Sequence, residues 1–152
     1  YDVMREFRAK FLDYVSGALD GQELVPALRI DAKISLNDIT WELYDLLARF
    51  EPFGMANPAP KYLLENLLVE KAEAVGAKEN HLRLQARQND VSKKMIGFCF
   101  GDPEKHDGTN WCAALKAGDK IDVICEIGVN EWNGNRELQL KLVDLKFSKN
   151  EL

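Results

Sequence analysis

From residue 61 onward the apolar residues of this chain recur at every second position, and they do so in five separate runs. Side chains of a strand point alternately to its two faces, so a repeat of two marks strands with one face buried. The runs are KYLLENLLVEKAEAV (61–75), HLRLQAR (81–87), KKMIGFCF (93–100), KIDVICEIGV (120–129) and RELQLKLVDLKF (136–147). The pattern turns Leu82, Leu84 and Ala86 inward in the second run. It puts Lys94, Ile96, Phe98 and Phe100 on one face of the third, with Ile96 and Phe98 assigned to the core. Ile121, Val123, Cys125, Ile127 and Val129 alternate in the fourth, and Leu138, Leu140 and Leu142 point inward in the fifth. Asn133-Gly134 is a strong hairpin signal between the last two runs.

A short helical piece, WCAALKAG (111–118), separates the third run from the fourth. Three strands, a helix and two strands in about 88 residues is the order of the OB-fold, a partly open five-stranded Greek-key barrel. A flat antiparallel sheet covered by one helix is the competitor. The length of the first run, enough to bend across two sheets, favours the barrel. The fold class is therefore mainly β with some α, a barrel preceded by a helix–strand–helix segment.

That preceding segment repeats differently. Val3, Phe7, Phe11, Tyr14, Val15 and Ala18 make a helical stripe over residues 2–19. LRIDAKI (28–34) alternates as a half-buried strand, with Leu28, Ile30, Ala32 and Ile34 on one face. Ser35, followed by Asp38, offers an N-cap for a helix over residues 36–50. EPFGMANPAP (51–60) then stops it: Pro52 has no N–H to donate and clashes with the preceding turn, while Asn57-Pro58 and Pro60 hold the chain extended. This stiff connector marks a boundary. The expected organisation is 1–34 as the end of a preceding domain, 35–60 as connecting helix and linker, and 61–148 as the barrel.

The net charge of −5 argues against a strongly basic nucleic-acid binder. Residues 80–94, however, carry Arg83, Arg87, Lys93 and Lys94 against Asp90 alone. No run approaches the ~18 apolar residues of a membrane span, and the start, YDVMREFRAK, has no signal-peptide pattern. It lacks an initiator Met and reads as a processed chain or a piece of a longer one. Cys99, Cys112 and Cys125, without a CxxC spacing, read as reduced thiols of an intracellular, cytoplasmic protein. His81 and His106 are the two histidines. His106-Asp107 lacks a third and fourth metal ligand at any workable spacing, and no nucleophile–base or phosphate-loop pattern appears. The expectation is no catalytic residue, metal site or cofactor in this chain.

Two motifs carry a resemblance. Pro52, Phe53, Gly54, Asn57, Pro58 and Pro60 match one pattern, and Asn130, Glu131, Trp132, Asn133, Gly134, Gln139, Leu140 and Asp144 match a second. Together with LRIDAKISL they make the whole chain similar to the C-terminal part of the bacterial RecJ family, single-stranded-DNA-specific 5′→3′ exonucleases of DNA repair and recombination. Ala56 departs from that family, which has Gly there. The resemblance implies that residues 1–34 end a DHHA1 domain, and that catalytic DHH motifs holding Mn or Mg belong to a part absent from this sequence. It implies as partners single-stranded DNA, the family's catalytic domains in cis and a single-strand-binding protein.

OB-folds bind strands through their second and third strands and the flanking loops, combining cations for phosphates with flat rings on which bases stack. On this chain that selects Lys78, Arg83, Gln85, Arg87, Lys93, Lys94, Trp132 and Arg136 as DNA-binding candidates. Trp41 and Trp111 read as structural. The same cations also fit an ordinary solvated face that braces other domains, and the two readings stay open on sequence alone.

Overall fold

The computed structural model describes residues 2–22, 27–132 and 134–149, with Trp132 described in its backbone only. Helix α1 spans Asp2–Leu19, β1 Ala32–Lys33 and α2 Trp41–Ala48. The barrel strands are β2 (Tyr62–Val75), β3 (His81–Gln88), β4 (Val91–Gly97), β5 (Lys120–Trp132) and β6 (Asn135–Phe147), with α3 (Trp111–Ala114) between β4 and β5. The strands are ordered β1-β2-β3-β4-β6-β5, and β2 also pairs with β5, which closes the five-stranded barrel. β4 and β6 run parallel and every other barrel pairing is antiparallel. This is an OB-fold.

Closure depends on β2 serving two partners. Tyr62–Leu68 pairs with β5 and Leu68–Val75 with β3, with register shifts at Leu64/Leu67 and Val69/Lys71. Bulges of this kind add local bend and twist, which a barrel corner needs. At the first shift Asn66 is left-handed, φ 55°, and its N–H donates to Asp122 Oδ1 at 3.0 Å. Ser148 Oγ donates to the same oxygen at 2.6 Å. Burial works against the Asp122 carboxylate, but these hydrogen bonds and Lys146 outweigh it and hold its pKa below the usual carboxylate range.

The interior is filled by Leu64, Leu67, Val69, Leu82, Leu84, Ala86, Met95, Ile121, Val123, Cys125, Leu140 and Leu142. Burial pushes the Cys125 thiol up to about 12, so it packs as a small apolar side chain. Trp111, Leu115 and Phe100 close the α3 end, and Leu36 and Ile39 join the core from outside the barrel strands.

The structure corrects the third strand. Leu84 faces Met95 and Leu82 faces Gly97, so Met95 and Gly97 are the interior positions. Ile96 is half-buried on the outer face and Phe98 is 53% exposed. Lys94 shares the face of Ile96 and Phe98 and meets Glu137 at 3.1 Å on the outside of the barrel. Beyond Gly97 the chain turns through left-handed Cys99, φ 64°, which sends Phe100 inward. A Cβ on Gly97 would lie 2.6 Å from the Phe100 ring, so this close approach requires glycine. Leu138 is half-buried, and a third register shift, at Ile124/Cys125, brings Leu145 into the core.

The expected helix over 36–50 is divided. Ser35 donates from N–H and Oγ to Asp38 Oδ2 at 2.8 and 2.7 Å, lowering the Asp38 pKa around a single 3₁₀ turn, Leu36–Asp38. Core burial takes Leu36 and Ile39, and α2 starts afresh with Thr40 as N-cap, its Oγ1 accepting from the Leu43 N–H at 3.3 Å. The expected strand over 28–34 shrinks to β1. Ala32 and Lys33 pair in parallel with Tyr62 and Leu63, flanked by backbone hydrogen bonds from Asp31 to Lys61 and from Ile34 to Leu63, while Leu28 and Ile30 stay exposed. Helix α1 forms as its stripe predicts but buries none of its residues.

In the proline segment Asn57 Nδ2 donates to the carbonyls of Phe50 (2.8 Å) and Pro52 (3.1 Å). Gly54 and Asn57 exchange backbone hydrogen bonds. Ala56 is not among the left-handed residues, so alanine there carries no backbone penalty. The residues just before this loop and those after it pack into one core.

Leu140→Ala should cost roughly 2–5 kcal/mol in urea unfolding, whereas Phe98→Ala should stay within about 0.5 kcal/mol. Comparable losses at the two positions would contradict the register of β4 and β6.

Asp122→Ala should cost about 1–3 kcal/mol at neutral pH by leaving the Asn66 N–H unmatched. A carboxylate with a depressed folded pKa stabilises above its unfolded value of about 3.9, and that contribution fades as pH falls through the lower folded value. The gap between wild type and variant should therefore narrow below about pH 4 in unfolding titrations, and a gap independent of pH would count against the charge-assisted bond.

Candidate nucleic-acid interface

Alternation in β3 places His81, Arg83, Gln85 and Arg87 on the outside of the barrel, and in β4 Ser92, Lys94 and Ile96. The register joins Arg83 to Ile96, Gln85 to Lys94 and Arg87 to Ser92. The loop 76–80 borders this face at one end. The β5–β6 hairpin borders it at the other, because β6 runs parallel to β4 with Met95 beside Leu140. Gly134 turns that hairpin at φ 78°, with Trp132 beside Asn135. The side chain of Trp132 lies outside the described residues.

The candidates fall into three groups. Gln85, Lys93, Lys94 and Arg136 converge on a groove of about 610 Å³ that also includes Trp41 and Glu137. Lys93 reaches it from the other side of β4, since its partner is the interior residue Ala86. The Arg136 guanidinium lies 5.3 Å from the centre of the Trp41 ring, a cation–π distance. Arg87 faces a second concavity beside Ser35, Asp38 and Gln88. Lys78 and Arg83 lie toward the loop 76–80, outside both.

Three of these six cations already hold a carboxylate. Glu70 receives Arg87 Nε at 3.3 Å, Gln85 Nε2 at 3.1 Å and the Ser92 hydroxyl at 2.7 Å. Lys94 Nζ lies 3.1 Å from Glu137, and Arg136 Nε 3.3 Å from Glu131. Exposed pairs of this kind are worth ~0–1 kcal/mol, so a phosphate can displace them at little cost. Lys78, Arg83 and Lys93 make no ion pair among the described residues.

Two exposed aromatics escaped the sequence reading. Trp41, assigned to structure, is 38% exposed at the groove. Phe98, assigned to the core, stands outside against His81, ring centres 5.3 Å apart. The sequence carried no decisive signal for Phe98, because Lys93 and Lys94 put a lysine on each side of β4. For Trp41 there was none, because its exposure follows from the break at Thr40. Trp111 is buried, as its structural reading requires.

Neither histidine is set up as a metal ligand. His81 Nδ1 accepts the Cys99 N–H at 3.1 Å, and the His106 ring lies 4.2 Å from that of Phe100. Among the described residues no group of three or more His, Cys, Asp or Glu side chains is placed to hold a metal ion. No helix among them is long and apolar enough to cross a membrane.

The chain is thus a closed OB barrel that carries cations and an exposed aromatic on the outer face of β3 and β4. The sequence profile of the family described as RecJ OB domain matches residues 30–144, and the chain belongs to that family. It is 26% identical over 147 residues to the single-stranded-DNA-specific exonuclease RecJ of Bacillus subtilis (strain 168), covering 97% of this chain and 18% of that protein. RecJ from Thermus thermophilus in complex with Mn2+ superposes with a TM-score of 0.67 at 23% identity, over 95% of this chain and 19% of that one. The same enzyme in complex with Mg2+ gives 0.51 at 25% identity over 71% of this chain and 15% of that one. The chain thus spans about a fifth of these relatives, and the metals named with the Thermus enzyme have no ligand set among the described residues.

Glu137→Gln should release Lys94 while leaving stability within about 0.5 kcal/mol of wild type, as for other exposed pairs. A larger loss in thermal unfolding would show the pair to be structural.

Proposed function

We propose that this chain is the non-catalytic single-strand-binding module of a RecJ-type exonuclease, holding single-stranded DNA along the outer face of β3 and β4. The observation that carries this reading is the convergence of Gln85, Lys93, Lys94 and Arg136 on one groove beside exposed Trp41. Cations follow the phosphates, and flat side chains accept any base, so binding is independent of sequence. β4, seven residues long, extends about 23 Å, room for a few nucleotides. Hydrolysis falls to metal-holding domains outside these residues, in repair and recombination in the cytoplasm.

A second reading rests on a different observation. Glu70, Glu131 and Glu137 neutralise the hairpin half of the face, and α1 exposes Val3, Phe7 and Phe11. Surfaces of that kind suit protein neighbours: the catalytic domains in cis, or a single-strand-binding protein.

Oligo-dT anisotropy titrations across a salt series separate the two readings. We expect a dissociation constant on the order of 10⁻⁴–10⁻⁶ M at physiological salt and a decline in log K with log salt. Arg83→Ala should reduce the slope by about 0.7, the value of one single-strand phosphate contact. Arg87→Ala should do less, since Glu70 already holds that guanidinium, and Glu137→Gln should tighten binding. Absence of binding even at low salt would leave the bracing role.

Incubated with labelled single-stranded DNA and Mn2+ or Mg2+, the chain should release no nucleotides. Metal-dependent cleavage abolished by changing His81 or His106 would overturn the non-catalytic assignment.

A further inference from the structure

The loop end of the β3–β4 face carries a feature that the groove reading does not use. Phe98 is 53% exposed and is held there by an arrangement with several fixed parts. Its neighbour Cys99 occupies the left-handed region, φ 64°, a conformation that non-glycine residues adopt at a cost and retain where the surroundings impose it. The Cys99 N–H donates to His81 Nδ1 at 3.1 Å, which fixes the imidazole that Phe98 meets edge-on. The other side of the imidazole rests on Gly76, where a Cβ would lie 2.8 Å from His81 Cδ2. The same turn sends Phe100 into the core, so one phenylalanine is buried and the other is presented to water.

The charges around this ring also differ from those at the hairpin end. Arg83, which pairs in register with Ile96 two residues from Phe98, makes no ion pair among the described residues, and neither does Lys78 in the adjoining loop. The carboxylate opposite Arg83 in register, Glu73, bonds Lys71 Nζ at 2.8 Å and meets Arg83 only through longer-range attraction. Phe98, in the turn just past β4, lies two residues along the chain from the level of Arg83, at most about 7 Å, a reach that one nucleotide can span from base to phosphate.

We infer that Phe98, set by His81 and the left-handed Cys99, is a base-stacking platform for single-stranded nucleic acid, with Arg83 and Lys78 contacting the phosphates beside it. The inference rests on the DNA-binding reading and adds to it where one base is held, at the end of the face opposite the hairpin. A flat ring beside cations that hold no close ion pair among the described residues suits a nucleobase next to a phosphate, and stacking is indifferent to which base it is.

The test compares wild type, Phe98→Ala and Phe98→Tyr for binding to oligo-dT and to an abasic oligomer of equal length, with thermal unfolding confirming that each variant folds. Phe98→Ala should bind oligo-dT roughly tenfold or more weakly, the scale of one lost stack, with an unchanged salt slope. It should bind the abasic oligomer as wild type does. Phe98→Tyr, which keeps a ring, should retain affinity for oligo-dT. If wild type binds oligo-dT and Phe98→Ala binds it equally well, the platform is refuted while the DNA-binding face stands, and the exposed ring is left to a protein contact. If wild type binds neither oligomer, both inferences fall together.

Discussion

One strand has to hydrogen-bond to two partners, and the rest of the molecule depends on how β2 manages it. A straight β2 would leave β5 or β3 unpaired and the sheet open along an edge. The bend is made at Asn66 by a left-handed residue whose N–H is taken up by Asp122 on β5, so the partner that the bend allows is also the one that stabilises it. Once the barrel closes, β4 lies parallel to β6, and the hairpin and the loop 76–80 come to opposite ends of one outer face. Each side chain of that face inherits its place from the closure.

The electrostatics of the face explain how a chain of net charge −5 can still offer an anion a place. Its carboxylates are interleaved with its cations, so the half near the hairpin is compensated through Glu70, Glu131 and Glu137. Around Phe98 the balance differs, because Glu73 is drawn to Lys71 and Arg83 keeps no ion-pair partner among the described residues. Binding to such a face exchanges weak surface pairs for phosphate contacts. On the proposed reading it is therefore modest and sensitive to salt, with flat side chains supplying part of the affinity.

The N-terminal third shows how neighbours decide between local preferences. Its periodicities are genuine: α1 forms over the residues its stripe marks, and a capping pair forms at Ser35 and Asp38. Yet the cap closes a single turn, because Leu36 and Ile39 are worth more inside the barrel than along a helix face. That break moves the helix start to Thr40 and leaves Trp41 open beside Arg136. A residue marked as structural thereby becomes part of the candidate interface.

What the sequence determined by itself was whatever depends on near neighbours along the chain. Five strands and one short helix in OB order follow from a two-residue repeat and its interruptions, the last hairpin from Asn133-Gly134, and the inward faces of β3 and β5 from unbroken alternation. The tertiary structure alone decided what depends on a partner distant in sequence. Met95 rather than Ile96 points inward because β4 takes its register from β3, and Leu145 enters the core because a bulge shifts β6 against β5. Arg87 and Lys94 are compensated because Glu70 and Glu137 stand within reach of them across the surface. Periodicity records which residues share a face. Which face meets the core, and which charge meets which, is set by long-range pairing, to which local sequence is blind.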